Sequence, residues 1–253
     1  SLQNFFNVFE SISLPCFSAF STSLVTLPKT IDNDIWGTDI TFGFQSAVNI
    51  ATNAIDCIHT TAASHSRVFI VEVMGHKVGW LTLHAGIAGG ADIILLPEIP
   101  YDINSVVEAL DKRTKEGKKF SILAVAEGAI SKEDAVLSKK ELKAKRKANP
   151  YPSISYQIGK EIEEKTGQEV RITVPGHMQR GGEPCPYDRV ISSRLGAAAA
   201  RLIIKEKYGY MVGFKNGEIV PVPLAEVAGK LKMVDPDSSI IKEAKGLGIC
   251  FGD

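Results

Sequence analysis

The sequence contains no CxxC pair. Its four cysteines, Cys16, Cys57, Cys185 and Cys250, stand far apart, without the spacing of a zinc site or a disulfide framework. A reducing, cytoplasmic setting is the expectation. Net charge is missing too: 29 Lys and Arg balance 29 Asp and Glu. Nothing global therefore attracts nucleic acid or anionic lipid, although a local basic patch can still bind a small anion. No apolar run is long enough to span a membrane, and no basic segment followed by an apolar stretch reads as a secretory signal. Internal repeats and low-complexity tracts are absent. Residues 1–27 are poor in charge, with Glu10 alone among many Ser and Phe. They read as a buried helix and strand, or as a poorly ordered or misassigned start. Only Leu24 to Leu27 reads clearly as a strand.

What is present is ordinary globular material. A length of 253 residues with 44% hydrophobic and 23% charged side chains suits one large α/β unit or two smaller lobes with a real core. Apolar positions from Ala47 to Ile58 recur at helical spacing over Phe44 to His59. "RVFIVEVMG" (Arg67 to Gly75) is a buried strand ending in glycine. "VGWLTLHAGIAGG" predicts a small-residue helix ended by Gly89 and Gly90, and "ADIILLPEIP" a strand stopped by prolines. Asn104 can cap the following helix, which runs to about Lys115. "FSILAVAEGAI" is again a strand. The charged stretch "SKEDAVLSKKELKAKRKANPYPS" predicts an exposed helix or insertion, or else an anion-binding patch. Ser155 to Thr166 is amphipathic, and "VRITVPGHMQRGG" is a strand and loop. Asp188 to Tyr208 predicts a long helix with Val190, Ile191, Leu195, Ala199, Leu202 and Ile203 on one face. Strands and helices alternate, and the strands are unbroken apolar runs. That pattern implies a mostly parallel sheet with helices on both faces.

In such sheets the functional site lies beyond the carboxyl ends of the strands. Those ends carry Lys29 to Asp34, Glu72 to His76, Glu127, and Gly176 to Gly182. Asp32 and Asp34 repel one another unless a cation or hydrogen bonds offset them. Hard carboxylate oxygens suit Mg²⁺, which shares phosphate oxygens. One carboxylate can hold the metal while the other accepts a proton from an alcohol. Lys29 offers a point charge for phosphate, and Thr30 a hydroxyl. A solvated turn capped by aspartates is the competing reading. Arg67, Arg171 and Arg180, with His177, suit an anion, since guanidinium forks grip phosphate at any working pH; surface ion pairs are the alternative. Glu127 suits a sugar hydroxyl, or is simply a solvated carboxylate. Glu72, inside an apolar strand, is either buried and paired or a ligand. From the residues alone, the expectation is an α/β enzyme for a phosphorylated, hydroxylated substrate, with Mg²⁺-assisted phosphoryl transfer.

The segments "PKTIDNDI", "RVFIVEVMG", "AGGADIILLPE", "VAEGAI", "GHMQRGGEPCPYDR" and "SSRLGAAA" stand in the order found in 6-phosphofructokinases, and from about Pro28 onward the chain resembles that family. Lys29 and the closing "GEIVPVPLAEVAGKLKMVDP" resemble the branch of pyrophosphate-dependent enzymes and their lysine-bearing ATP-dependent relatives. The resemblance implies two doubly wound, Rossmann-like parallel-sheet lobes with the site between them, one lobe being truncated. Residues 1–43 would be a remnant of the donor-binding lobe plus an atypical start, 44–178 the sugar-phosphate-binding lobe, and 179–253 the return to the donor-binding lobe and a carboxyl-terminal segment. It further implies phosphoryl transfer from ATP or pyrophosphate to the 1-hydroxyl of fructose 6-phosphate, in glycolysis. Asp32 would be the base, Asp34 a Mg²⁺ ligand, and Thr30 and Lys29 would line the transfer site. Met74, Gly75, Glu127, His177 and Arg180 would contact the sugar. Arg67 and Arg171 would reach the 6-phosphate from a neighbouring subunit of a homo-oligomer, dimer or tetramer, with no nucleic acid or membrane partner.

Two departures stand out. His76 occupies a position where the family usually has arginine, and imidazole carries charge less constantly than guanidinium near neutral pH. The family's glycine-rich first strand-loop and Gly-Gly-Asp motif, which bind the phosphoryl donor, are not matched, so the chain resembles the carboxyl-terminal two-thirds of such an enzyme. The rival expectation is a non-catalytic sugar-phosphate-binding fragment or regulatory subunit.

Overall fold

The computed structural model describes residues 24–62 and 67–253; the expectations for residues 1–23 lie outside them. In chain order the strands and helices begin with β1 (Val25–Thr26), β2 (Lys29–Thr30), β3 (Phe42–Gly43), α1 (Phe44–Ala62), β4 (Val68–Val73), α2 (Trp80–Ala88) and β5 (Ile93–Leu95). They continue with α3 (Ile103–Lys115), β6 (Ser121–Ala126), α4 (Lys132–Ala135), α5 (Lys139–Ala148), α6 (Ile154–Thr166) and β7 (Val170–Thr173). A 3-10 turn (Gly176–Arg180) precedes α7 (Pro186–Ile204), β8 (Tyr210–Lys215), β9 (Glu218–Pro223), α8 (Leu224–Val227) and α9 (Ser239–Gly246). The chain divides into two compact units, Ser1–Gln45 with Pro184–Lys232, and Ser46–Glu183 with Met233–Asp253.

The second unit is built on a four-stranded parallel sheet of order β5-β6-β4-β7. Every residue of β4 and β6 is buried. Strands covered on both faces have no polar side to alternate with, which is why "VFIVEV" and "SILAVA" read as continuous apolar runs. Val106 and Leu110 of α3 and Ile158 and Ile162 of α6 pack with Ile70, Leu123 and Val125 in one core. Ala124 and Ile94 point to the opposite face, because successive strand residues alternate. There they meet α2 at Gly86, where an added Cβ would lie 2.7 Å from Ile94 Cδ1. A larger residue would push the helix off the sheet.

The end of the chain packs onto this sheet. The segment after Lys232 belongs to this second unit, not to the first. Cys250 bridges in parallel to Ile93 on the edge strand β5, the Ile94 amide donates to the Cys250 carbonyl at 2.9 Å, and the Asp102 amide to the Gly252 carbonyl at 2.7 Å. The segment thus covers the edge of β5. The cap of α3 differs from the expectation: Asp102, not Asn104, is the N-cap, its side chain accepting from the Asn104 amide. The charged stretch forms two short exposed helices, α4 and α5, the second opened by a capping box of Ser138 and Glu141.

The first unit pairs β1 in parallel with β8, and β8 antiparallel with β9. The β8–β9 hairpin turns at Asn216 and Gly217, both at positive φ (50° and 85°), the backbone that an Asn-Gly pair favours; the sequence reading did not anticipate it. A separate pair joins β2 to β3, also in parallel. Helix α7 lays Ile191 and Leu195 against Val212, with Ala198, Ala199 and Leu202 beside them. Val190 and Ile203, expected on that face, are 61% and 51% exposed. The covered stripe runs through Ile191, Leu195, Ala198, Ala199 and Leu202; Val190 lies off it, while Ile203, four residues beyond Ala199, is left uncovered in the last turn of the helix. Among the described residues, no helix is long and apolar enough to cross a membrane.

Candidate active site

The acidic loop lies in the first unit, directly after β2. Asp32 and Asp34 are half-buried, and Asn33 between them is 4% exposed. Asn33 sits in the left-handed region at φ 56°, which asparagine tolerates better than most residues. Its Oδ1 accepts from the Thr41 amide at 3.0 Å and from Lys232 Nζ at 2.8 Å. Thr41 in turn donates its hydroxyl to the Thr30 carbonyl at 2.9 Å, and the Thr30 hydroxyl accepts from the Asp32 amide at 3.1 Å. Lys29 is exposed. Burial pulls the Lys232 ammonium down to about 8, although the Asp39 and Asp34 carboxylates act to hold it up. Among the described residues no group of three or more His, Cys, Asp and Glu gathers as a metal cage. The acidic loop instead offers two carboxylates, the donor set of a cation completed by water and phosphate oxygens.

A second cluster lies in the other unit, at the carboxyl ends of β4 and β6. Gly75 and His76 follow β4 at φ 149° and 53°. The Glu127 Oε1 atom, just past β6, accepts from both of their amides, at 3.2 and 2.7 Å. The Met74 amide donates to Gln179 Oε1 at 3.1 Å, while Gln179 Nε2 donates to the Gly176 carbonyl at 3.3 Å. Met74, Gly75 and Glu127 are thereby brought together, and Gln179 ties them to the 3-10 turn that carries His177 and Arg180, both exposed. Gly128 closes the arrangement: a Cβ there would meet the His76 carbonyl at 2.3 Å.

Arg67 and Arg171 are not part of that cluster. Arg67 immediately precedes β4 and Arg171 is the second residue of β7, so both stand at the amino ends of their strands. The six residues of β4 separate Arg67 from Met74 by about 20 Å at strand rise, and Arg171 lies level with Phe69, near the start of that strand. Both guanidiniums form ion pairs with Glu169, and together they hold the Glu169 carboxyl below the usual carboxylate range. Glu72 is resolved as a structural residue: 7% exposed, its Oε2 accepts from the Ser153 hydroxyl at 2.5 Å and the Ser155 amide at 3.3 Å, at the start of α6, where a negative charge is favoured. Sequence reasoning missed Asn33, Lys232, Gln179 and Glu169. Asparagine between two aspartates was a usable signal for a left-handed turn, and Gln179 stood inside a motif already singled out. Lys232 carried no such mark.

The sequence profile of the family described as phosphofructokinase matches residues 8–203. An ATP-dependent 6-phosphofructokinase of Spirochaeta thermophila is 57% identical over 231 residues, 91% of this chain and 63% of that one. ATP-dependent 6-phosphofructokinase 3 of Bacteroides thetaiotaomicron is 48% identical, covering 93% and 65%. The chain therefore spans a little under two thirds of the length of these relatives. Among solved structures, phosphofructokinase of Saccharomyces cerevisiae superposes with a TM-score of 0.67 at 34% identity, over 79% of this chain and 25% of that one. A pyrophosphate-dependent phosphofructokinase of Nitrosospira multiformis, at 20% identity and a TM-score of 0.72 over 92% and 60% of the two chains, shares the fold. With the profile running through the acidic loop, both glycine-bearing strand ends and most of α7, the chain belongs to the phosphofructokinase family.

Proposed function

We propose that the protein transfers a phosphoryl group from ATP to the 1-hydroxyl of fructose 6-phosphate, giving fructose 1,6-bisphosphate in cytoplasmic glycolysis. The observation that carries this is the acidic loop: two half-buried carboxylates flanking a left-handed Asn33 held by the Thr41 amide and Lys232, in a chain 57% identical to a protein named for that reaction. Asp32 takes the proton of the 1-hydroxyl, the oxygen attacks the terminal phosphorus of ATP, and the bond from that phosphorus to the oxygen of the departing ADP breaks. Thr30 and Lys29 line the path of transfer. Asp34 would hold Mg²⁺, which supplies charge neutralisation on the transferring phosphate. The donor set fits a hard cation that keeps most of its shell as water and phosphate oxygen. ATP is favoured over pyrophosphate because the relatives at 48% and 57% identity are named ATP-dependent.

Met74, Gly75, Glu127, His177 and Arg180 would receive the sugar. Arg67 and Arg171 serve a different place. Standing at the amino ends of their strands, they cannot join the cluster at the carboxyl ends of the same chain. Their separation supports a homo-oligomer in which they reach the 6-phosphate held by a neighbouring copy.

The test is steady-state turnover of the full-length protein with fructose 6-phosphate and either donor, alongside Asp32→Ala. Wild-type turnover, lost by several orders of magnitude in Asp32→Ala while sugar-phosphate binding persists, is the expected result. Binding without turnover by the wild type would make the protein a sugar-phosphate-binding module. Near-normal turnover by Asp32→Ala would remove the base.

A further inference from the structure

The acidic loop does not hold its shape alone. The segment Lys230–Lys232, some two hundred residues later in the chain, runs antiparallel beside it. Ile35 bridges to Leu231, the Lys232 amide donates to the Asp34 carbonyl at 2.8 Å, and the Lys230 ammonium lies 5.7 Å from the centre of the Trp36 ring. The Lys232 side chain then enters the base of the loop. Its Nζ donates to Asn33 Oδ1 at 2.8 Å, the Thr38 carbonyl at 3.0 Å and the Asp39 carbonyl at 2.8 Å. An ammonium has three protons to give, and here three acceptors from three successive parts of one loop receive them. One of those acceptors, Asn33, is the residue between Asp32 and Asp34.

We propose that Lys232 is a positioning residue for phosphoryl transfer: acting through Asn33, it fixes the backbone that carries Asp32 and Asp34. This rests on the reading of Asp32 as the base. The reasoning is geometric and electrostatic. Asn33 is held in a left-handed backbone, a conformation that persists in a non-glycine residue only where surroundings over-determine it. Lys232 and the Thr41 amide are those surroundings, meeting on a single oxygen. The Lys232 ammonium also interacts favourably with the Asp39 and Asp34 carboxylates, which offsets part of the negative charge gathered in the loop. Without it, the Thr38 carbonyl and Asn33 Oδ1 each lose a donor and the Asp39 carbonyl keeps only the longer bond from Asn33 Nδ2, at 3.5 Å, and the loop is free to relax. A base displaced by an ångström loses most of its rate advantage, about a hundredfold, whereas residues that only bind the sugar are untouched.

The test compares full-length wild type with Lys232→Met and with Asn33→Ala, which breaks the same link from the other side. Three readouts are needed: kcat and KM for fructose 6-phosphate, amide hydrogen exchange over residues 30–41 against residues 186–204, and the thermal midpoint. The expected result for both variants is kcat lowered about a hundredfold with KM moved less than about threefold. Exchange should be faster over 30–41 and unchanged over 186–204, and the double variant should be no worse than either single one. Unchanged kcat, or unchanged exchange over 30–41, in a folded Lys232→Met protein overturns the proposal. So does additive loss in the double variant. If Lys232→Met does not fold, Asn33→Ala decides alone by the same criteria. Should the wild type show no turnover, the proposed function fails while the exchange data still judge the clamp; faster exchange with wild-type turnover intact in the variant would reject the positioning role and leave the function standing.

Discussion

Gln179 Oε1 accepts the backbone amide of Met74 at 3.1 Å, across 105 residues of chain. The pair joins two segments that look independent in the sequence, "EVMG" after one strand and "GHMQRGG" after another. Gln179 is 1% exposed, so its own polar atoms must be satisfied from within, and it spends them on Met74 and Gly176. Replacing it with alanine leaves the Met74 amide and the Gly176 carbonyl without this partner, at about 1–3 kcal/mol for a buried group. Gln179→Ala is expected to raise KM for fructose 6-phosphate by roughly tenfold or more on that scale, with kcat much less affected. Initial-rate kinetics check it; an equal fall in kcat and kcat/KM would point instead to a role in the transition state.

The same loop predicts a steric failure. Gly128 leaves no space for a side chain, since a Cβ would stand 2.3 Å from the His76 carbonyl oxygen, and Gly75, at φ 149°, would place one 2.5 Å from the Val78 carbonyl. Backbone atoms on both sides cannot give way cheaply. Gly128→Ala must therefore displace the 75–78 loop or the Glu127 carboxylate that binds its amides. Calorimetric titration with fructose 6-phosphate is expected to register weaker binding by more than about tenfold, on the scale of lost buried hydrogen bonds. Gly117→Ala provides the contrast: no atom of the described residues lies within 4 Å of a Cβ there, so only its left-handed backbone is strained.

The sequence carried the parallel sheet because buried central strands have one visible signature, an uninterrupted apolar run, and β4 and β6 display it fully. It also placed the acidic loop at the end of a strand, β2. What it concealed were partners brought in by tertiary contact. Lys232 reads as one lysine among several in "GKLKM", and nothing local marks it as buried. Glu169 was hidden by its neighbours: in "QEVRI" it is an ordinary strand-edge carboxylate, yet it gathers both Arg67 and Arg171. Helix α7 shows the opposite error. Counting every apolar residue placed Val190 and Ile203 inward, when only the narrower stripe from Ile191 is covered.

His76 offers a prediction in the direction of gain. It sits exposed, at φ 53°, with its amide bound by Glu127, so the backbone is fixed and the side chain can be changed without repacking a core. The resemblance places arginine there in most family members. A guanidinium is charged at every working pH and grips phosphate oxygens as a fork. His76→Arg is expected to raise kcat severalfold at unchanged thermal midpoint, measured by initial rates at saturating fructose 6-phosphate. Lower kcat in the arginine variant would mean that His76 has a task of its own.

Glu98 gives a prediction about pH. Its Oε1 accepts from the Gly79 amide and the Val234 amide, both at 2.9 Å, while Oε2 is buried and has no hydrogen-bond partner among the described residues. Burial raises its carboxyl above the ordinary range, against the opposing effect of those amides. The unfolded chain releases this proton near pH 4.3, the usual value of about that size for glutamate, whereas the folded protein keeps it to higher pH. Between the two values the native state binds more protons than the unfolded state, so stability falls as pH rises through that window and the whole penalty is present above it. Glu98→Gln removes the titration. Asp92 is shifted in the same direction by burial and will leave a slope of its own, so the informative quantity is the difference between wild type and variant. Thermal or denaturant midpoints taken from pH 4.5 to 7.5 are expected to show wild type losing stability relative to Glu98→Gln as pH increases. Parallel curves would mean that Glu98 is ionised in the fold at little cost.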